Sequence, residues 1–164
     1  MLEHEPPSLS LRAAMETRDL DRAVEAFADD GVLRSPLTDG LAFHGRDQIA
    51  LVTGVVLDLF DGLEYTDEVS SDESGFLVGR ATVAGQPIEW VDHMRFDADG
   101  RIRELTVFFR PLPATTAALR AIGAGLARPT SRGRAAAISV LASPLAVMAR
   151  VGDRVGVPLI RRGL

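Results

Sequence analysis

The chain has 164 residues, of which 46% are hydrophobic and 25% charged, and it has no cysteine and a formal net charge of −5. These values are typical of a soluble globular chain with a sizeable core and argue against a mainly disordered one. The absence of cysteine excludes disulfides, thiol chemistry and cysteine-ligated metal sites, and the first residues show no signal-peptide pattern, so the cytoplasm is the expected location.

Charge divides the chain into two predicted parts. Residues 1–112 carry 10 arginines and 22 acidic residues, whereas residues 113–164 carry eight arginines and a single acidic residue. The acidic body argues against a nucleic acid as partner. We therefore predict a folded domain over 1–112 and a basic C-terminal tail over 113–164, whose composition is compatible with helices.

The N-terminal part predicts three helices. Ser8 or Ser10 can cap the segment LRAAMET, and Asp19 can cap LDRAVEAFADD, which Gly31 ends. The following VLRSPL is predicted to be extended, and residues 45–60 have apolar side chains at helical spacing.

The hydrophobic period then changes to two, which predicts strands near 63–70, 76–84, 87–96 and 101–110. Helices followed by an antiparallel meander indicate an α+β domain, in which N-terminal helices cover one face of a curved, mainly antiparallel sheet.

One predicted strand has an acid on its apolar face. Alternate residues of a strand share a face, and on this strand they are Ile88, Trp90, Asp92, Met94 and Phe96. An unpartnered carboxylate in such surroundings costs roughly several kcal/mol. Asp92 is therefore the candidate catalytic residue, with a structural acid satisfied by its neighbours as the alternative.

The DADG segment after this strand is predicted to be a four-residue hairpin loop. Such a loop places Asp92 opposite Leu105 and His93 opposite Glu104, so that His93 is interpreted as a surface residue of structural importance. The apolar face then continues on the next strand with Leu105, Val107 and Phe109.

A small-molecule site is predicted on this face. A concave sheet that is capped by helices and lined by apolar groups with one or two polar ones is the usual description of such a site. No metal site and no cofactor are predicted. The candidate ligand-binding residues are Trp90, Ser35, His44, Met94, Leu105, Val107, Phe109, Leu77 and Ala81.

Three segments, RDLDRAVEAFADDGVLRSP, FHGRDQIA and VDHMRFDADGRI, together resemble the nuclear-transport-factor-2-like superfamily. This superfamily includes ketosteroid isomerases, SnoaL-type polyketide cyclases and limonene epoxide hydrolases. The resemblance spans about Ser8 to Pro111. It implies a cone-shaped α+β barrel with a deep pocket and commonly a homodimer formed through the sheet.

By the resemblance to ketosteroid isomerases, Asp92 falls on the acid that stays protonated and donates a hydrogen bond to the substrate's developing oxyanion. The position of the general base is Ser35, and the position of the oxyanion tyrosine is Leu11. A serine hydroxyl needs a neighbouring base before it can take up a proton. Standard ketosteroid isomerase activity is therefore not expected.

Two classes of function remain. The first is a SnoaL-like pocket protein for a hydrophobic, oxygen-bearing ring compound, acting as an isomerase, cyclase or hydrolase with Asp92 as acid or base. The second is a non-catalytic ligand-binding or interaction protein whose tail engages a partner or a membrane surface. The apolar stretch 135–149 is shorter than the about 20 residues of a membrane span. Its alternatives are to lie on a membrane surface, to dock on the acidic body or to pack across a dimer, and the opposite charges of tail and body favour docking. A homodimer is expected from the resemblance and from Val78 and Val91 on the opposite face.

Overall fold

The computed structural model describes residues 7–36, 38–127 and 151. Within these ranges, four helices and six strands follow one another: α1 (Pro7–Glu16), α2 (Leu20–Glu25), β1 (Phe27–Arg34), β2 (Ala42–His44), α3 (Gly45–Leu59), β3 (Phe60–Ser70), β4 (Ser74–Val83), β5 (Gln86–Phe96), β6 (Ile102–Arg110) and α4 (Leu112–Ala127). The predicted strands are confirmed, and the third predicted helix is confirmed within one residue.

The six strands form one curved, unclosed sheet in the order β2-β1-β6-β5-β4-β3. Every neighbouring pair is antiparallel except β1 and β6, which are parallel. The core lies between the concave face of this sheet and the helices that cover it. The predicted α+β fold with a mainly antiparallel sheet is confirmed.

The N-terminal helices differ in detail from the prediction. Asp19 caps α2 as expected, because its Oδ1 accepts a hydrogen bond from the Arg22 N–H at 3.1 Å. The second helix is shorter than predicted, since Phe27 already begins β1 and pairs with Ile102 of β6. Tertiary strand pairing overrides the helical pattern there. Ser8 lies inside α1, where its hydroxyl donates to Glu68 Oε1 at 2.6 Å, so it is not a cap.

The predicted register of the β5–β6 hairpin is wrong by two residues. Asp92 pairs with Val107, and His93 pairs with Thr106. The loop closes between Asp97 and Arg101, one residue later than predicted, which moves the register by one position. An irregularity next to Phe96 leaves one extra residue on β6 and moves the register by a second position. A shift of two leaves every side chain on its predicted face.

The predicted pair between His93 and Glu104 is consequently wrong as well. The His93 ring stacks on the Phe76 ring with centroids 4.5 Å apart. Glu104 instead accepts a hydrogen bond from Arg34 Nη2 at 2.9 Å. His93 remains on the convex face of the sheet, where the structural interpretation had placed it.

The described part of the predicted tail is helical and packs on the domain. Helix α4 contacts α3 and the sheet, and a Cβ atom added to Gly125 would lie 2.6 Å from Val55 Cγ1, so glycine permits the close approach of the two helices. None of the helices in the described ranges is long and apolar enough to cross a membrane. The predicted apolar segment 135–149 lies outside the described residues.

Candidate functional site

A cavity lies between the concave face of the sheet and the helices α1, α3 and α4. The volume of this cavity is about 130 Å³. One water molecule needs only about 10–15 Å³ by the same measure, so the cavity has room for a larger molecule. Most of its wall is apolar, and the polar side chains in the wall are Ser35, Thr53, Tyr65, Trp90 and Asp92.

Asp92 is held in the wall by two hydrogen bonds to one oxygen. The Tyr65 hydroxyl and the Trp90 Nε1–H each donate to Asp92 Oδ2 at 3.0 Å. The side chain of Asp92 is buried, with 5% of its surface exposed. Its other oxygen, Oδ1, has no hydrogen-bond partner among the described residues. Every side-chain polar atom of the buried residues there either has a partner or keeps some accessible surface. Oδ1 therefore has its free surface towards the cavity.

Strand register explains how these three side chains meet. Tyr65 of β3, Gly79 of β4 and Trp90 of β5 lie in one row across the sheet. A Cβ atom at Gly79 would overlap the Trp90 ring, so the absence of a side chain lets the indole lie flat over β4. Tyr65 and Trp90 make an edge-on contact with centroids 5.6 Å apart. The indole N–H is thereby brought to Asp92, two residues further along β5.

Helix α1 fixes the position of Tyr65 through its backbone. The Tyr65 N–H donates to Glu16 Oε1 at 2.8 Å, and Arg12 Nη2 donates to the Tyr65 carbonyl at 2.8 Å. Strand β3 is an edge strand of the sheet and is irregular on both sides of Tyr65. Side chains of α1 thus satisfy backbone groups that a neighbouring strand would otherwise pair.

Burial controls the protonation of the cluster. Desolvation raises the pKa of the Asp92 carboxyl from 3.8 to about 6, although the hydrogen bonds from Tyr65 and Trp90 lower it in part. Desolvation and the charge of Asp92 raise the pKa of the Tyr65 hydroxyl well above 10. At neutral pH Asp92 is mostly a carboxylate and Tyr65 a neutral donor, so the protonated form that the resemblance implied predominates only below about pH 6.

The cavity brings together six of the predicted site residues. They are Asp92, Trp90, Ser35, Leu105, Val107 and Phe109. Leu77, Ala81 and Met94 lie on the same face of the sheet but are sealed within the core, and they are absent from the described cavity wall. His44 is exposed at the start of α3, where its backbone N–H donates to Gln48 Oε1 at 3.0 Å.

The sequence interpretation missed two polar residues of the wall. Tyr65 is the only tyrosine of the chain and lies within a predicted strand, and this was the signal that could have identified it. Thr53 is a hydroxyl residue on the apolar face of α3. The interpretation also missed the contribution of α4, which supplies Leu119, Ile122 and Leu126.

The positions that the resemblance assigned to a base and a tyrosine do lie in the cavity wall, as Ser35 and Leu11. Neither side chain is titratable in the neutral range. Within the described residues, no group of three histidine, aspartate or glutamate side chains is arranged to hold a metal ion.

A protein-family model matches more than half of the chain. The model of the SnoaL-like domain matches residues 10–105. The chain belongs to the SnoaL-like domain family. None of the curated proteins compared with the chain matches it. Helix α4 follows the matched span, so part of this cavity wall lies outside the family domain.

Solved structures of this fold are also similar to the chain. A steroid delta-isomerase from Pseudomonas aeruginosa is 25% identical with a TM-score of 0.64, over 79% of this chain and 94% of that one. A bacterial protein with a cystatin-like fold from Silicibacter pomeroyi is 21% identical with a TM-score of 0.70, over 81% and 92%. An NTF2-like protein from Cytophaga hutchinsonii is 16% identical with a TM-score of 0.52, over 65% and 89%. The SnoaL-like and NTF2-like fold is that of small-molecule-binding and isomerase-like proteins.

Proposed function

We propose that the cavity binds a hydrophobic, oxygen-bearing ring compound and that Asp92 Oδ1 accepts a hydrogen bond or a proton from it. The observation that carries this proposal is a buried carboxylate with one oxygen held by two donors and the other open to an apolar cavity. A carboxylate with a pKa of about 6 is mostly ionised at neutral pH and is a stronger base than an ordinary aspartate.

The surroundings favour a ligand with an apolar body and few polar groups. Each polar group of a ligand that enters an apolar wall without a partner costs free energy, whereas apolar surface that leaves water is stabilised. Similarity to a steroid delta-isomerase supports a ring compound as the class of ligand. The reaction that the cluster favours is removal of a proton next to a ring carbonyl, with Asp92 holding the proton and returning it to the substrate.

Binding without catalysis is the second candidate. Among the described residues of the cavity wall, Asp92 and Tyr65 are the only titratable ones, and the hydroxyl of Tyr65 is already donated to Asp92. An enzyme with this wall must therefore work with one carboxylate. A protein that only binds needs no second titratable group, so the same wall suits it.

Two measurements test the proposal. The first is affinity for polycyclic phenols and ring ketones, followed through the fluorescence of Trp90, the only tryptophan of the chain. We expect Asp92→Leu to weaken phenol binding by about tenfold or more, because it removes a charged acceptor, and Asp92→Asn to weaken it less. Glu104→Gln is the control, since it removes a carboxylate on the convex face. Equal affinity of wild type, Asp92→Asn and Asp92→Leu would make Asp92 a structural residue.

The second measurement is exchange of the α-hydrogens of 2-tetralone with D₂O, read by NMR. A base at Asp92 predicts exchange that rises with pH through about 6 and is lost in both Asp92 variants. Tyr65→Phe removes a donor that lowers the pKa of Asp92, so its profile should move to higher pH. Binding without enzyme-dependent exchange would select the non-catalytic candidate.

A further inference from the structure

The hydroxyl of Thr53 is a further polar group in the cavity wall, and the cluster of Asp92, Tyr65 and Trp90 does not use it. Thr53 lies in the middle of α3 with 7% of its surface exposed. It lines the cavity together with its neighbours Val52 and Val56 on the same helix. A hydroxyl in such apolar surroundings is costly unless it finds a partner.

Other helical and helix-end threonines of the chain show how that cost is normally avoided. A threonine on a helix commonly donates to the carbonyl three or four residues earlier. Thr17 does so to Ala13 at 2.7 Å, and Thr116 does so to Pro113 at 2.8 Å.

Thr53 makes no such bond. Within the described parts of the chain its Oγ1 has no hydrogen-bond partner. Every side-chain polar atom of the buried residues there either has a partner or keeps some accessible surface, so Oγ1 keeps accessible surface. Because Thr53 lines the cavity, we take the accessible surface of its hydroxyl to face the cavity, as for Asp92 Oδ1.

The two free polar atoms belong to different walls. Asp92 projects from β5 on the concave face of the sheet. Thr53 belongs to α3, which packs over β1 and against α4. An ionised carboxylate only accepts hydrogen bonds, whereas a hydroxyl both donates and accepts. The cavity thus offers an acceptor on the sheet side, a donor and acceptor on the helix side, and apolar side chains around both.

We infer that the ligand is a ring compound with two oxygen-bearing positions, one that gives a hydrogen bond or proton to Asp92 and a second, a carbonyl or hydroxyl, that bonds to the Thr53 hydroxyl. This inference rests on the proposed function, because it assigns the second anchor of the same cavity. Thr53 then determines specificity, since a ligand without the second oxygen leaves its hydroxyl buried and unpaired.

Matched probes separate the two anchors. Calorimetric titration compares 2-naphthol, which has one oxygen, with the 1,5-, 1,6-, 2,6- and 2,7-dihydroxynaphthalenes, which place a second oxygen at different separations. We expect at least one dihydroxy isomer to bind wild type about two- to tenfold more tightly than 2-naphthol. Thr53→Val should abolish that preference and should bind 2-naphthol more tightly than wild type does, because no hydroxyl is then left unpaired under the bound ligand, whereas Thr53→Ser should retain the preference.

A measurement without ligand supports the test. Val is nearly isosteric with Thr and has no hydroxyl, so Thr53→Val should raise the melting temperature by removing an unpaired polar group. Thr116→Val is the matched control, because its hydroxyl is buried but bonded to Pro113 and lies outside the described cavity wall. That variant should lower the melting temperature and leave the probe preference intact.

The outcomes distinguish the two proposals. Failure of every probe to bind wild type overturns the proposed function and this inference with it. Binding of 2-naphthol that Asp92→Leu weakens, without a preference that depends on Thr53, overturns this inference alone. A Thr53→Val variant that melts at a lower temperature than wild type shows that the hydroxyl has a partner and also overturns it.

Discussion

The two faces of the sheet carry carboxylates that respond to folding in opposite ways. Asp92 lies on the concave face, where burial raises the pKa of its carboxyl to about 6. Glu104 lies on the convex face, where the hydrogen bond from Arg34 holds the pKa of its carboxyl below the ordinary value of 4.5. Exposure to solvent and hydrogen-bond partners therefore decide how strong a base a carboxylate is. An acid that is bonded to an arginine in water is a weak base, whereas a desolvated acid is a stronger one.

Apolar side chains also differ between the faces. Those of the concave face form the core and the cavity wall. On the convex face, Phe76 and Phe108 remain 42% and 57% exposed beside Val78 and Val91. The chain's own helices cover the concave face, so that face needs no partner molecule. Large apolar side chains on the convex face are typical of a surface that another molecule covers.

Asp92→Asn should produce the largest difference between the faces. The pKa of Asp92 in the folded protein, about 6, lies above the ordinary 3.8, so the neutral form of Asp92 stabilises the fold. This stabilisation is complete below about pH 4 and is lost as the pH rises through 6. The loss at pH 7 is about 3 kcal/mol. We expect the stability of Asp92→Asn relative to wild type to increase by that order between pH 4 and pH 7, measured by urea unfolding.

The matched variant on the other face is Glu104→Gln. The folded pKa of Glu104 is lowered, so its contribution is present above the unfolded pKa and is lost as pH falls. The pair with Arg34 is partly exposed, and its effect should stay below about 1 kcal/mol. A pH dependence of the same sign in both variants would show that the two faces are not electrostatically distinct.

A change at Gly79 should have the next largest effect. A side chain there would overlap the Trp90 ring, so Gly79→Ala should destabilise the fold by about 1–3 kcal/mol and alter the fluorescence of Trp90. Gly54→Ala in α3 is the control, because its Cβ would meet only Leu20 Cδ2 at 3.6 Å, an ordinary contact. We expect the control to be more stable than wild type by up to about 1 kcal/mol. Unchanged stability and fluorescence of Gly79→Ala would contradict the assigned position of the indole.

The convex face gives the smallest expected effect on folding and a direct effect on assembly. We expect the chain to form a homodimer through this face. Phe108→Asp should raise the dissociation constant of the dimer by about tenfold or more. The free energy of unfolding of the single chain should change little, because Phe108 is exposed there. Light scattering at micromolar concentration measures this. Leu51→Asp is the control, because Leu51 is a similarly exposed apolar residue (62%) that lies on α3 and not on the convex face, so its replacement should leave the dimer intact. A monomer mass for wild type would refute the dimer.

Local patterns were enough to predict the four strands β3 to β6 and the face on which Asp92 lies. Alternation of apolar side chains is a property of the extended backbone itself, so the row from Ile88 to Phe96 could be assigned to one face without any knowledge of its neighbours. The capping residue Asp19 was likewise predictable, since its hydrogen bond reaches only three residues along the chain.

Tertiary structure alone decided the composition of the site. Tyr65 reaches Asp92 across 27 positions of sequence, and it does so because α1 holds its backbone and Gly79 leaves space for Trp90 between them. The length of the second helix was settled by pairing of β1 with β6, which a local pattern does not contain. The sequence by itself therefore determined which side chains could face inward, because that depends on neighbours along the chain. Which of them meet, and which protons they hold, depends on packing between distant segments and on the water that this packing excludes.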